Sequence, residues 1–209
     1  QKTAYEIYQC DWSSDVCSSD LDRVNLASEI ETLRRNLNQE EVSRLRAISN
    51  DASEALNQAM NMIEPTDSEV DVAGEIAEQL WQRNLEPVVL LVAGEERIRK
   101  YRHPLPTNSE IGGLVMGVIC ARRKGLIASI SRIVKFGEIS NEMTDNYHRL
   151  LKVEAAFLNE TKPGKTFAEV FKAGEREYAI QGFAKDEWTK HHQGGPTGYL
   201  DRKSTRLNS

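Results

Sequence analysis

Histidine and glycine are concentrated in one short stretch near the end of the chain, WTKHHQGGPTGY, which runs from Trp188 to Tyr199. The adjacent imidazoles of His191 and His192 could supply a general base, a general acid or metal ligands near neutral pH. The glycines around them would let the backbone approach a ligand closely, because they carry no Cβ. Surface turns are also rich in glycine and proline, so a tight turn with two surface histidines is the alternative.

Three other residues are candidates for chemistry. His103 precedes Pro104 in the segment RHPLPT, where it is either a functional group or a residue that packs the loop. His148 lies within a predicted helix, and we expect it to be solvated. Cys120 ends a predicted strand without an adjacent cation that would stabilise a thiolate, so we expect it in the core.

Several catalytic signatures are missing from the sequence. It contains no HExxH or CxxC motif, no GxSxG elbow, and no glycine-rich loop that opens a helix after a strand. No aspartate lies between Val72 and Met143, and the segments 114–120 and 126–134 hold no carboxylate. These segments offer no oxygen ligand of the kind that divalent metals prefer, so we expect neither a metal nor another cofactor.

Hydrophobic periodicity predicts the elements that must position these residues. Apolar residues three and four positions apart predict helices over 26–37, 39–63, 68–81 and 141–160. An uninterrupted apolar run predicts a buried strand at 88–92. The segments 114–120 and 126–134 flank the basic turn ARRKG and predict a hairpin. This mixture indicates an α+β fold.

One pattern occurs twice, 98 residues apart. In each copy a proline ends a long helix, a hydroxyl residue follows three positions later, and an acid follows after three more. The copies are Pro65, Ser68 and Asp71, and Pro163, Thr166 and Glu169. The spacing from hydroxyl to acid is typical of a capping box. Capping boxes are common, so two unrelated helices could look alike, but the order of the flanking elements favours a duplicated unit.

Both ends of the chain read as translated sequencing adapter. Residues 1–21 contain DWSSDVCSSDL and residues 201–209 are DRKSTRLNS, and each is a reading frame of a common short-read library adapter. We therefore expect both segments to be artefacts and exclude them from inferences about fold and function. The expected organisation is then a leading helix in 22–38 and an incomplete catalytic-type domain in 39–200.

The composition of the remaining residues limits the classes of partner that we expect the protein to bind. Without the two end segments, which hold four basic and five acidic residues, 23 basic and 27 acidic residues remain, a net charge of −4. An acidic chain without a basic stripe does not favour nucleic-acid binding, and no apolar run is long enough to cross a bilayer. Cys120 cannot form an intrachain disulfide by itself, so we expect a cytoplasmic protein.

The order of the elements resembles the pita-bread fold of the superfamily of methionine aminopeptidase, aminopeptidase P (Xaa-Pro aminopeptidase), prolidase and creatinase. The resemblance covers 39–199 and is most specific at RHPLPT, LIASISRIVKFG and HHQGGPTGY. It implies a curved antiparallel sheet with internal pseudo-duplication and missing C-terminal strands. It also implies that the helices 39–63 and 141–160, and the helices after their prolines, cover the convex face of the sheet.

The resemblance implies a degenerate metal site. Active members carry two aspartate ligands on the hairpin and a histidine ligand in the glycine-rich turn, and Val118, Ser129 and Gly195 occupy those positions here. Two further glutamate ligands would lie beyond Leu200. Without carboxylates that bridge two ions, a metal-activated hydroxide is not available as the nucleophile.

The histidines that do not bind metal in this superfamily are retained. His103 and His191 match them, and these two are the expected catalytic residues. The expected substrate-binding residues are His192, Arg132, Gly194 and Tyr199. Retention of both histidines beside substituted metal positions indicates a ligand pocket that is still used.

Three functions follow from this reading. The first is a metal-independent hydrolase, similar to creatinase, in which His103 acts as general base on a small amide or peptide-like substrate that His191 orients. The second is a non-enzymatic domain that holds a peptide or a protein partner. The third is a metallo-aminopeptidase with substituted ligands. The partner is therefore a small molecule or a peptide, and the resemblance allows a homodimer.

The adapter interpretation makes a direct prediction. Sequencing of the source gene across both ends, from material prepared without that adapter, should give different codons in place of those for 1–21 and 201–209. An open reading frame that encodes both segments in the gene itself would contradict the interpretation.

Overall fold

The computed structural model describes residues 26–191, 193–195 and 197–199. Its helices are α1 (Ala27–Arg35), α2 (Gln39–Met62), α3 (Glu69–Trp81), α4 (Glu95–Ile98), α5 (Asn141–Glu160), α6 (Phe167–Ile180) and a 3-10 helix (Glu187–Lys190). Its strands are β1 (Glu86–Gly94), β2 (Leu114–Arg123) and β3 (Leu126–Lys135).

The chain divides into two units between Leu33 and Arg34, and the elements from α2 onward belong to the second. None of the described helices is long and apolar enough to span a membrane.

The three strands form one antiparallel sheet in the order β1-β2-β3. The predicted hairpin is confirmed, but its strands are longer and its turn is shorter than expected. Arg123 pairs with Leu126, so only Lys124 and Gly125 form the turn, with φ angles of 50° and 86°. Two consecutive positive φ angles are what a tight hairpin turn requires, and glycine meets that requirement without strain at the second position.

Helices α2 and α3 cover one face of the sheet and form the core with it. The fully buried residues of this core include Ala52, Ala55, Leu56, Ala59, Val72, Ile76, Leu80, Val92, Val115 and Ile119. Three of them are alanines on α2, and small side chains let a helix approach a sheet closely. Gly117 continues this close contact, because a Cβ there would lie 3.2 Å from Sδ of Met60 and 3.3 Å from Cδ1 of Ile76.

Both predicted capping boxes are present. The Ser68 hydroxyl accepts a hydrogen bond from the Asp71 amide, the Asp71 carboxylate accepts one from the Ser68 amide, and Thr166 and Glu169 repeat the arrangement. The sequence repeat therefore corresponds to two long helices, each followed by a capped helix. A third capping box, between Asn38 and Glu41, begins α2 and was not predicted.

The second helical pair does not cover the sheet as expected. Within the described residues, α5 and α6 pack against each other, with the Phe157 ring seated where a Cβ on Gly174 would lie, and neither helix has extensive contact with β1, β2 or β3. The expectation that 141–160 and its following helix cover this sheet is therefore wrong. Among the described elements, α2 and α3 supply most of the helix contacts of the sheet, and α5 and α6 contact each other instead. Several apolar side chains of the pair are exposed, among them Leu150, Leu158, Phe167 and Ile180.

The outer edge of β3 is partly covered by the glycine-rich segment. The Ile127 amide donates a 2.8 Å hydrogen bond to the Gly198 carbonyl, and the Thr197 hydroxyl donates a 3.1 Å bond to the Ile127 carbonyl. The chain thus returns to the start of β3 after 70 residues and attaches the histidine-rich segment to the hairpin.

The capping box of α6 gives stability a pH dependence. Hydrogen bonds from the amide and hydroxyl of Thr166, and then Lys165, lower the pKa of Glu169 from 4.5 to about 2. A carboxyl group whose folded-state pKa is lowered stabilises the fold above pH 4.5 and loses that contribution as the pH falls towards 2. The unfolding free energy of Glu169→Gln should therefore fall less steeply than that of the wild type as the pH is lowered from 4.5 towards 2.

The measurement is urea unfolding at a series of pH values. Glu175→Gln, which changes an exposed carboxylate on the same helix, is the control and should keep the wild-type slope. Equal slopes for Glu169→Gln and the wild type would show that this cap does not contribute to the acid dependence.

Candidate functional site

The two histidines expected to be catalytic lie together. The ring centroids of His103 and His191 are 5.2 Å apart, and the ring planes differ by 26°, so the imidazoles are stacked. The residues are far apart in sequence, and both side chains are exposed. Each imidazole can donate one hydrogen bond and accept another when neutral, so two adjacent rings can contact both the amide and the carbonyl of one small ligand.

The start of α3 holds the loop that carries His103. The amides of Glu69 and Val70 donate hydrogen bonds to the carbonyls of Ser109 and Thr107, at 3.0 and 3.1 Å. These are amides in the first turn of a helix, which have no acceptor within the helix. Pro104 is buried directly after His103. The backbone on the C-terminal side of His103 is therefore fixed to a helix end.

A separate set of contacts holds His191. Its carbonyl accepts a 2.9 Å hydrogen bond from the Gln193 side-chain amide, which also donates to the Trp188 carbonyl at 2.8 Å. The Tyr178 hydroxyl donates to Oε1 of Gln193 at 2.8 Å, and burial raises the pKa of Tyr178. Trp188 packs edge-to-face on Phe171, with centroids 5.2 Å apart. Tyr178 and Phe171 belong to α6, so this helix positions His191.

The hairpin places Val118 and Ser129 on the face of the sheet opposite α2 and α3. Cys120 pairs with Ser129, and Val118 pairs with Ser131, so these four side chains share one face. Sγ of Cys120 and Oγ of Ser129 are 3.2 Å apart, and Cys120 is buried as expected, although it lies on the face opposite the core that α2 and α3 form. This face carries thiol, hydroxyl and aliphatic groups where a pair of divalent ions would need carboxylates.

Among the described residues, no group of three or more histidine, cysteine, aspartate or glutamate side chains is arranged to hold a metal ion. The residues at the three substituted positions, Val118, Ser129 and Gly195, do not fit a pair of bridged divalent ions.

Two of the expected substrate-binding residues have structural contacts. Arg132 donates hydrogen bonds to Asn57 at 2.8 Å and to Ser53 at 2.9 Å, both on α2, so its guanidinium lies on the helix-covered face of the sheet. The Tyr199 hydroxyl donates to Glu41 at 2.7 Å, and this bond raises the pKa of the tyrosine. Gly194 is exposed close to His191 in sequence, and His192 lies outside the described residues.

A comparison with protein-family models gives a decisive match. The model of metallopeptidase family M24 matches residues 43–201, which is most of the chain. The chain belongs to metallopeptidase family M24. The resemblance to the superfamily of aminopeptidase P, prolidase and creatinase is thereby confirmed. A comparison with curated protein sequences finds no significant match.

Solved structures support the fold. Prolidase from Pyrococcus furiosus superimposes with a TM-score of 0.75 at 21% identity over 82% of this chain and 51% of its own. Dipeptidase PepE from Mycobacterium ulcerans gives 0.76 at 20% identity over 85% of this chain and 48% of its own. Xaa-Pro dipeptidase from Bacillus anthracis gives 0.68 at 23% identity over 73% and 44%. The M24 chain thus has the α+β pita-bread fold and spans about half the length of these proteins.

Sequence reasoning missed the groups that support the two histidines. Glu69 lies between the two capping residues of α3, where a glutamate is usually solvated, and nothing in the sequence marks it as buried. Gln193 lies inside the histidine-rich segment but was not singled out. In both cases the partner residues are distant in sequence or belong to another element, so periodicity carries no signal of the contact.

The stacked geometry of this M24 site has a spectroscopic consequence. Protons that lie over the face of an aromatic ring resonate upfield, so His191→Ala should move the His103 ring resonances downfield in proton NMR spectra. His148→Ala changes an exposed histidine on α5 and should leave the His103 resonances in place. Unchanged His103 resonances in His191→Ala would contradict the stacked arrangement.

Proposed function

We propose that this M24 protein is a metal-independent hydrolase acting on a small amide or peptide-like substrate. The observation that carries the proposal is the stacking of His103 and His191, which brings two imidazoles from distant segments to one exposed place. The substituted positions Val118, Ser129 and Gly195 support it, because they lack the ligands that a metal-activated hydroxide would need. On this proposal the metal site of the family is degenerate in this chain.

In the proposed reaction, His103 acts as the general base. It accepts a proton from a water molecule as the water oxygen forms a bond to the carbonyl carbon of the amide. The C–N bond then breaks, and His103 returns the proton to the leaving nitrogen. His191 donates a hydrogen bond to the substrate and orients the carbonyl towards the water.

A second function is favoured by a different observation. Both histidine side chains are exposed, whereas hydrolytic sites generally gain from the exclusion of bulk water. A domain that holds a peptide without cleaving it would have no need of such exclusion. The third possibility, a metallo-aminopeptidase with substituted ligands, finds no support among the described residues.

The proposed class of substrate is inferred from the names of the similar solved structures. The similar structures are named as a prolidase, a dipeptidase and an Xaa-Pro dipeptidase. We therefore propose that the M24 chain binds short peptides with a proline at the second position. We also propose a cytoplasmic location, since Cys120 has no cysteine partner among the residues outside 1–21.

The test measures binding and hydrolysis of an Xaa-Pro dipeptide by the native protein in the presence of a chelator. His103→Ala and His191→Ala should each weaken binding about tenfold, which corresponds to a hydrogen bond worth about 1.4 kcal/mol. His103→Ala should also abolish hydrolysis, because it removes the base.

His148→Ala is the matched control and should behave as the wild type. Binding by the wild type without any hydrolysis would select the non-enzymatic function. Wild-type affinity and turnover in both histidine variants would show that the stacked pair is not the site.

A further inference from the structure

Glu69, the first residue of α3, is the one buried carboxylate among the described residues. Its Oε1 accepts a 2.9 Å hydrogen bond from the Gly94 amide at the end of β1. Its Oε2 accepts hydrogen bonds from the Thr107 amide at 2.9 Å and the Thr107 hydroxyl at 2.7 Å, and it forms an ion pair with Arg97. A buried carboxylate must be compensated in this way, because the loss of hydration is otherwise very unfavourable.

Arg97 extends this network to both sides of His103. Its guanidinium lies over the Tyr101 ring, 5.0 Å from the centroid, and donates a 3.1 Å hydrogen bond to the Leu105 carbonyl. Tyr101 and Leu105 stand two residues before and two residues after His103. The planar fork of arginine can pair with a carboxylate, stack on a ring and reach a carbonyl at once, which lysine cannot do.

The loop itself has no regular secondary structure that would fix it. From Tyr101 to Ser109 it contains neither helix nor strand, and most of its side chains are exposed. Its position therefore depends on the contacts of Glu69 and Arg97, on the backbone bonds to the start of α3, on the hydrogen bond from the Tyr101 amide to the Arg97 carbonyl and on the buried Pro104. Among the described contacts of this loop, only those of the Glu69–Arg97 pair involve residues on both sides of His103. Arg97 contacts Tyr101 before the histidine and Leu105 after it.

We propose that Glu69 and Arg97 are positioning residues that hold His103 in its stacked contact with His191. The described hydrogen bonds of Glu69 go to Gly94, Arg97 and Thr107, so we infer that its effect passes through Arg97 and Thr107 to the loop. The role rests on the proposed function, in which His103 binds the substrate.

The test compares Glu69→Gln with the wild type under conditions in which both are fully folded. Glutamine keeps the size of the side chain but removes the charge that pairs with Arg97. The His103 ring resonances should move downfield, as they would on loss of stacking, and the amides from Tyr101 to Thr107 should exchange faster with solvent. Affinity for an Xaa-Pro dipeptide should fall several-fold. A role in stability alone would lower the unfolding free energy without moving the ring resonances of the folded protein.

Two further variants complete the comparison. Glu86→Gln breaks the exposed pair of Glu86 with Arg122 on the sheet and is the matched control, expected to leave the His103 resonances unchanged. Thr107→Val removes one donor to Glu69 and leaves the ion pair in place. It should shift the resonances in the same direction by a smaller amount, and it takes the place of Glu69→Gln if that variant does not fold.

The outcomes separate this proposal from the proposed function. Wild-type His103 resonances and wild-type loop exchange in folded Glu69→Gln, or in Thr107→Val if Glu69→Gln does not fold, would overturn the positioning role. If the resonances move but His103→Ala binds the dipeptide as well as the wild type, the positioning role stands and the proposed function fails.

Discussion

The packing of α2 and α3 on one face of the three-stranded sheet is the constraint on which the rest of the structure depends. Successive side chains of a strand point to opposite faces, so covering one face with two helices assigns every hairpin residue to the core or to the other face. Gly117, in close contact with Met60 and Ile76, belongs to the covered face. Val118 and Ser129 consequently lie on the opposite face.

The opposite face of the sheet carries the side chains of Val118, Cys120, Ser129 and Ser131. An aliphatic group, a thiol and two hydroxyls include no carboxylate that could bridge a pair of divalent ions, and we propose that the imidazoles are the groups that act on a substrate. They are supported from different directions, His103 from α3 and His191 from α6. The capped helix of the first repeat, α3, thus supports His103, and the capped helix of the second repeat, α6, supports His191.

Contacts between residues close together in the sequence were predictable, and the packing of distant segments against each other was not. The proline and hydroxyl spacing located both capped helices, and alternation located the hairpin, because these signals involve residues within a few positions of one another. The apolar face of 141–160 showed that the helix must pack, but periodicity cannot say against what, and the sheet was the wrong choice. The proximity of His103 and His191 followed from the resemblance, while the burial of Glu69 had no sequence signal at all.

We propose that this M24 chain uses a histidine pair in place of a metal pair. The most direct test is the ratio of manganese, cobalt and zinc to protein, measured by elemental mass spectrometry on native protein equilibrated with these ions and then freed of loosely bound metal. We expect a ratio far below one ion per chain, because Val118, Ser129 and Gly195 provide neither a carboxylate nor an imidazole. One or two tightly held ions per chain, required for peptide turnover, would contradict it.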